Sequence, residues 1–187
     1  MLKANIKDQG TYKDKDLEKL NRTLALIEKT INSQKFHDAV IGFKDFQFEK
    51  YKCFFNKKVK TIQLPQYTND ELLAFLLKGQ SEDQTNAYMD FKVTLSEKRG
   101  GSAIGETNAN NIITTFRAAF DSMSEEELAA HLTHEWTHTM GFEHSYSNKC
   151  DKDRDCLSVP YAIGNIIEII LTGKCFYGCE YETLNTK

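Results

Sequence analysis

Apolar residues recur along this chain at two different spacings, and the spacing marks off its elements. Leu17, Leu20, Leu24, Ile27 and Ile31 fall three and four apart. They therefore share one face of a helix that begins at Asp14 or Asp16, either of which supplies a cap. Over residues 36–64 the pattern loosens toward alternation (Val40, Ile41, Phe43, Phe46, Phe48, Tyr51, Phe54, Phe55), which predicts one to three short strands. Thr68-Asn69-Asp70-Glu71 has the capping-box form just ahead of the apolar run over 72–77, so a short helix is expected to about Lys78. After a polar loop at 80–84, strands are expected over 88–95 and 112–116. Arg99-Gly100-Gly101 reads as a turn and 102–106 as a short extended segment. Ser124-Glu125-Glu126-Glu127 repeats the capping box, with acidic residues in the first turn where the helix dipole favours them. Ile163, Ile166, Ile167, Ile170 and Leu171 mark a last amphipathic helix ending near Gly173. Helix, then strands, then helix predicts an α+β fold.

Composition narrows the class. At 187 residues the chain fits one domain. Its longest apolar run covers only residues 72–77, far short of the roughly 18 to 20 residues of a membrane-spanning helix, so no span is expected. Two prolines, ten glycines and 11% aromatics exclude collagen-like, low-complexity and disordered chains. A net charge of −3 argues against a nucleic-acid partner. Residues 1–60 hold 14 Lys+Arg against 8 Asp+Glu, but the lysines are scattered and read as a solvated surface. Four of the five cysteines form two close, late pairs, Cys150 with Cys156 and Cys175 with Cys179, with Cys53 left over. Cross pairings are equally allowed, so the expectation is that the four are oxidised, which favours a secreted or periplasmic protein. No apolar leader is visible after Met1-Leu2-Lys3-Ala4, as in a mature form or a cytosolic chain.

The chemistry concentrates between residues 131 and 144, which hold four of the five histidines. On a helix, Leu128, Leu132, Trp136 and Met140 form one stripe and His131, His134 and His138 another, which predicts a helix with an apolar inner face and imidazoles facing outward. His134 and His138 are one turn apart, so both rings can approach one metal ion from the same side, at the ~2.0–2.1 Å of zinc–nitrogen bonds. Glu135 sits beside them and can reach an activated water without taking a coordination position. Gly141 lets the helix stop and the chain turn, which can bring back His144 as a third ligand. Three neutral imidazoles leave a fourth position open, as in catalytic zinc sites.

Residues 134–144 fit HExxHxxGxxH at every fixed position: His134, Glu135, His138, Gly141 and His144. The chain thus resembles the metzincins, the zinc-endopeptidase clan that includes astacins, serralysins and matrix metalloproteinases. The resemblance implies His134, His138 and His144 as ligands of one catalytic Zn²⁺ and Glu135 as general base and acid. It also implies a twisted mixed β-sheet with two long helices, a cleft along one edge strand, and an active-site helix ending at the glycine turn. An upper lobe over about 1–141 would precede a small lower lobe over about 142–187 with one helix. A peptide or protein substrate would pair as an added strand beside residues 102–106, and a monomer is expected. Metzincins carry a methionine beneath the metal, downstream of the third ligand. Here the methionines are Met1, Met89, Met123 and Met140, and none follows His144. Ser158-Val159-Pro160-Tyr161 is the best candidate for that turn, with Pro160 as the apolar floor and Tyr161 as a transition-state helper or a packed tyrosine.

Other residues admit plainer readings. His131 is expected beside the ligand set or at the surface, and His37 has no role. Asp151-Lys152-Asp153-Arg154-Asp155 opens like a Ca²⁺ loop, but Cys156 and Ala162 stand where glycine and glutamate are required. A solvated loop clipped by Cys150 and Cys156 is the expectation. Glu168 is a rival third ligand, ranked below His144, and Cys53 reads as a buried thiol rather than a cap on the zinc of a latent form. The leading function is a zinc-dependent endopeptidase. The alternatives are a metzincin-shaped binding or toxin module with a structural zinc, and a metal-free helix on which the histidines are incidental.

Overall fold

The computed structural model describes residues 1–8, 10–44, 46–54, 57–63, 66–79, 87–97, 103–144 and 156–174. Its architecture is mixed α/β, as expected, with a four-stranded open sheet and six helices among the described residues. Strand β1 (Lys3–Asp8) pairs parallel with β4 (Tyr88–Ser96), which pairs parallel with β6 (Ile112–Phe116). The short β5 (Gly105–Thr107) runs antiparallel to β6 at the sheet's edge. Strands β2 (Glu49–Phe54) and β3 (Lys57–Gln63) form a separate antiparallel hairpin.

The period-2 pattern of β4 is realised as written. Met89, Phe91, Val93 and Leu95 are buried, and Val93 lies in register with the buried Ile113 of β6. Against this sheet lie two long helices, α1 (Asp14–Ile31) and α5 (Glu125–Thr139), which also pack on one another. Leu20, Leu24, Ile27 and Ile31 of the predicted stripe are buried, as are Leu128, Leu132 and Trp136. A third helix, α6 (Val159–Thr172), packs across α5 and sends Val159, Ala162, Ile163, Ile166 and Ile167 into the same core. No helix among the described residues is long and apolar enough to cross a membrane.

Residues 34–41 form helix α2 (Gln34–Ile41), not a strand: Ser33 caps it by accepting from the Phe36 N–H, and Phe36, Ala39 and Val40 bury one helical face. The first strand and the short helix α4 (Arg117–Ser122) carry no marked periodicity in the sequence. The expected helix over 69–78 forms as α3 (Asn69–Lys78), with the Thr68–Glu71 capping box intact. The turn at 99–101 and the candidate Ca²⁺ loop at 151–155 lie outside the described residues. Cys156 is disulfide-bonded.

The N-cap of α1 is Lys13 rather than Asp14 or Asp16, because the helix already begins at Asp14; Asp16 stands at its third position. It accepts from the Lys13 N–H and holds Arg117 at the start of α4 through two hydrogen bonds, 3.1 and 2.9 Å. The Arg117 guanidinium keeps the buried Asp16 carboxyl below the ordinary carboxylate range. Asp16 therefore stabilises the fold above the unfolded pKa of about 4, and that contribution fades as pH falls through its lower folded value. Asp16→Asn is expected to lose about 2 kcal/mol in urea denaturation at pH 7, with the gap from the parent narrowing at a pH low enough to protonate the folded carboxyl. An equal gap at both pH values would contradict the assignment.

Candidate metal centre

Helix α5 begins at the predicted capping box: Glu127 accepts from the Ser124 N–H at 2.7 Å, and Ser124 Oγ accepts from the Glu127 N–H at 3.2 Å. It ends at Gly141, whose φ of +91° is left-handed. A β-carbon there would meet nothing within 4 Å, so the backbone angle, not space, calls for glycine. The Gly141 N–H bonds to the His138 carbonyl and the Phe142 N–H to the Thr137 carbonyl, the paired bonds of a Schellman termination.

Phe142, just past the turn, is buried against Phe75, Tyr67 and Phe48, with ring centroids 5.8, 6.0 and 6.4 Å away. Its carbonyl accepts from His138 Nδ1 at 2.8 Å. An aromatic cluster built largely from residues before position 80 thus anchors the backbone group that orients a histidine of α5. That bond places the proton of the neutral His138 ring on Nδ1 and bares Nε2.

The predicted turn brings His144 back. Its Nε2 lies 3.0 Å from His134 Nε2 and 3.1 Å from His138 Nε2. One ligand atom from each of the three rings lies within 4.8 Å of the others, a group that could hold a metal ion. The donor chemistry agrees. A single N–H on His144 can lie along only one of those two short lines, and His138 Nε2 has no proton to give. A cation among three lone pairs removes that conflict. Burial, followed by the neighbouring rings of His144, His138 and His131, holds His134 well below the ordinary histidine pKa, while the Pro160 backbone opposes this. The neutral form is the ligating one.

Glu135, next to His134 in the chain, is buried but is not one of the group. Its Oε2 accepts from Thr107 Oγ1 of β5 at 2.7 Å, and the same hydroxyl lies 3.1 Å from the Glu135 carbonyl. Burial pushes the carboxyl pKa up to about 7, with the Thr107 hydroxyl lowering it and the Glu106 charge adding to the rise.

The segment expected to form the floor lies against the rings. Ser158 precedes α6, Pro160 occupies its first turn, and the Tyr161 ring packs against His134 at 4.7 Å and His144 at 4.6 Å between centroids. Gly164 makes this approach close: a β-carbon there would sit 3.1 Å from both the Ala130 carbonyl oxygen and His134 Cβ. The imidazole row is therefore not outward-facing, as the helical wheel suggested, since α6 and β5 cover it and His131 and His134 are 1% and 4% exposed. Glu168, the rival ligand, is buried on α6 but does not belong to the cluster. Thr107, Phe142 and Gly164 carry no signal in the sequence, because each acts on α5 only through a tertiary crossing. Comparison with protein-family models, curated proteins and solved structures finds no match to this chain.

Proposed function

We propose that this protein is a zinc-dependent endopeptidase, with His134, His138 and His144 holding the ion and Glu135 acting as general base and then acid. The observation that carries this reading is the division of labour at the end of α5 and the turn that follows it. Three Nε2 atoms converge, while the adjacent carboxylate is buried, held by Thr107 and left out of the ligand group. Tetrahedral zinc with bonds of 2.0–2.1 Å separates its nitrogens by about 3.3 Å, close to the 3.0 and 3.1 Å found here. Zinc, when bound, supplies Lewis acidity toward a scissile carbonyl and an attacking water. Glu135 takes the proton of that water and passes it to the leaving amine. Among the described residues, edge strand β5 pairs with β6 on one side only, so its other side offers backbone groups to an extended peptide. Tyr161, packed on two of the rings, supports the ligands and lies at hand for the developing charge.

The test is metal content together with cleavage of an unstructured protein such as casein. One zinc per chain is expected, with cleavage abolished by a chelator and restored by added zinc. Stoichiometric zinc without cleavage would favour the binding or toxin module, and absence of zinc would leave the histidines incidental.

A further inference from the structure

The reaction outlined above leaves His131 unused, although it is one of the most deeply buried polar side chains in the protein, at 1% exposure. Its Nε2 lies 3.2 Å from Thr115 Oγ1 on β6. Its Nδ1 is buried without a hydrogen bond and lies 3.9 Å from Glu135 Oε1, one turn further along α5. That oxygen is the one Thr107 does not contact, since Thr107 donates to Oε2. An unpaired buried polar atom costs free energy that an apolar side chain of the same volume would not. The ring also presses on the residue opposite it: a β-carbon at Gly105 would come within 2.6 Å of His131 Cε1 and Nε2, and closer still to the Thr114 carbonyl oxygen of β6. The glycine in the edge strand is thus required by the β6 backbone and the imidazole together. The same close contact lays β5, and with it Thr107, over Glu135.

We propose that His131 is a positioning residue for Glu135. In this arrangement the Thr115 hydroxyl donates to Nε2 and fixes the ring as the Nδ1–H tautomer, and that N–H is given to Glu135 Oε1. The proposal deepens the peptidase reading and rests on it for the role of Glu135. Burial pushes the His131 pKa down to about 4, so the ring is neutral near pH 7 and carries one N–H to place. A carboxylate offers about four lone-pair sites. Thr107 and His131 take one on each oxygen, which leaves one on each for water and removes the carboxylate's freedom to rotate away. The 3.9 Å separation is too long for a finished hydrogen bond, but such contacts often tighten only when substrate is bound.

Two measurements test this. Long-range ¹H–¹⁵N correlation of the histidine rings reads the tautomer without reference to cleavage. His131 is expected as Nδ1–H, with Thr115→Val eroding that preference and Glu135→Gln shifting the Nδ1–H proton. An Nε2–H tautomer, or a proton indifferent to Glu135→Gln, overturns the proposal. In turnover assays, His131→Phe keeps the ring volume and is expected to lower kcat about 10-fold, with KM and zinc content unchanged. His131→Asn, which can place a donor near the Nδ1 position, is expected to recover part of the loss. Wild-type kcat in His131→Phe overturns the positioning role. If that variant does not fold, Thr115→Val serves in the same assay. A protein that cleaves normally with His131 as Nε2–H overturns this proposal alone, and one with the Nδ1–H form that cleaves nothing overturns the peptidase reading alone.

Discussion

Glu135→Gln is expected to keep its zinc and lose cleavage by at least about 100-fold. The amide matches the carboxylate in volume, and its oxygen can still accept from Thr107 Oγ1, which lies 2.7 Å from Oε2 in the parent. The three converging nitrogens are untouched. What disappears is the ability to take a proton from water and return it to the amine, which no other group in the ligand cluster offers. Metal per chain and turnover of an unstructured protein, measured on the same preparation, check both halves. Retained cleavage would remove Glu135 from the mechanism, and lost zinc would mean that the carboxylate supports the site in another way.

His144→Ala is expected to weaken zinc binding by more than the 10- to 100-fold typical of a lost supporting contact. His144 Nε2 is the atom both other rings approach, so its removal leaves two imidazoles on one side of the ion. Competition against a chromogenic chelator reads the affinity directly. Glu168→Gln is the companion variant, since that buried carboxylate on α6 is the rival ligand. Zinc lost in Glu168→Gln and kept in His144→Ala would reverse the assignment.

Elements governed by their own residues were legible in the sequence. The stripe of α1, the capping boxes at Thr68 and Ser124, the alternation of β4, and the left-handed Gly141 and Gly173 each act within a few residues of themselves. Helix α2 was misread because Phe36, Val40 and Ile41 suit a strand, although Ser33 and the spacing of Phe36, Ala39 and Val40 carried the helical signal. Strand β1 was invisible because Lys-Ala-Asn-Ile-Lys-Asp gains strand character from its pairing with β4, more than eighty residues later. At the site, the ligand group follows from spacing alone. Its surroundings do not: Thr107 arrives from the sheet edge, Phe142 is fixed by distant aromatic rings, and Gly164 matters only because α6 crosses over His134.

The turn at Gly141 gathers the whole ligand set from eleven consecutive residues, 134 to 144. Such a short stretch keeps its three imidazoles near one another even when the chain is denatured, so if zinc is the ligand the unfolded protein is expected to keep some affinity for it. A ligand held by both states raises the melting temperature only by the difference between its two affinities. On the zinc reading proposed above, stripping the ion is therefore expected to withdraw the chemistry more completely than it loosens the fold.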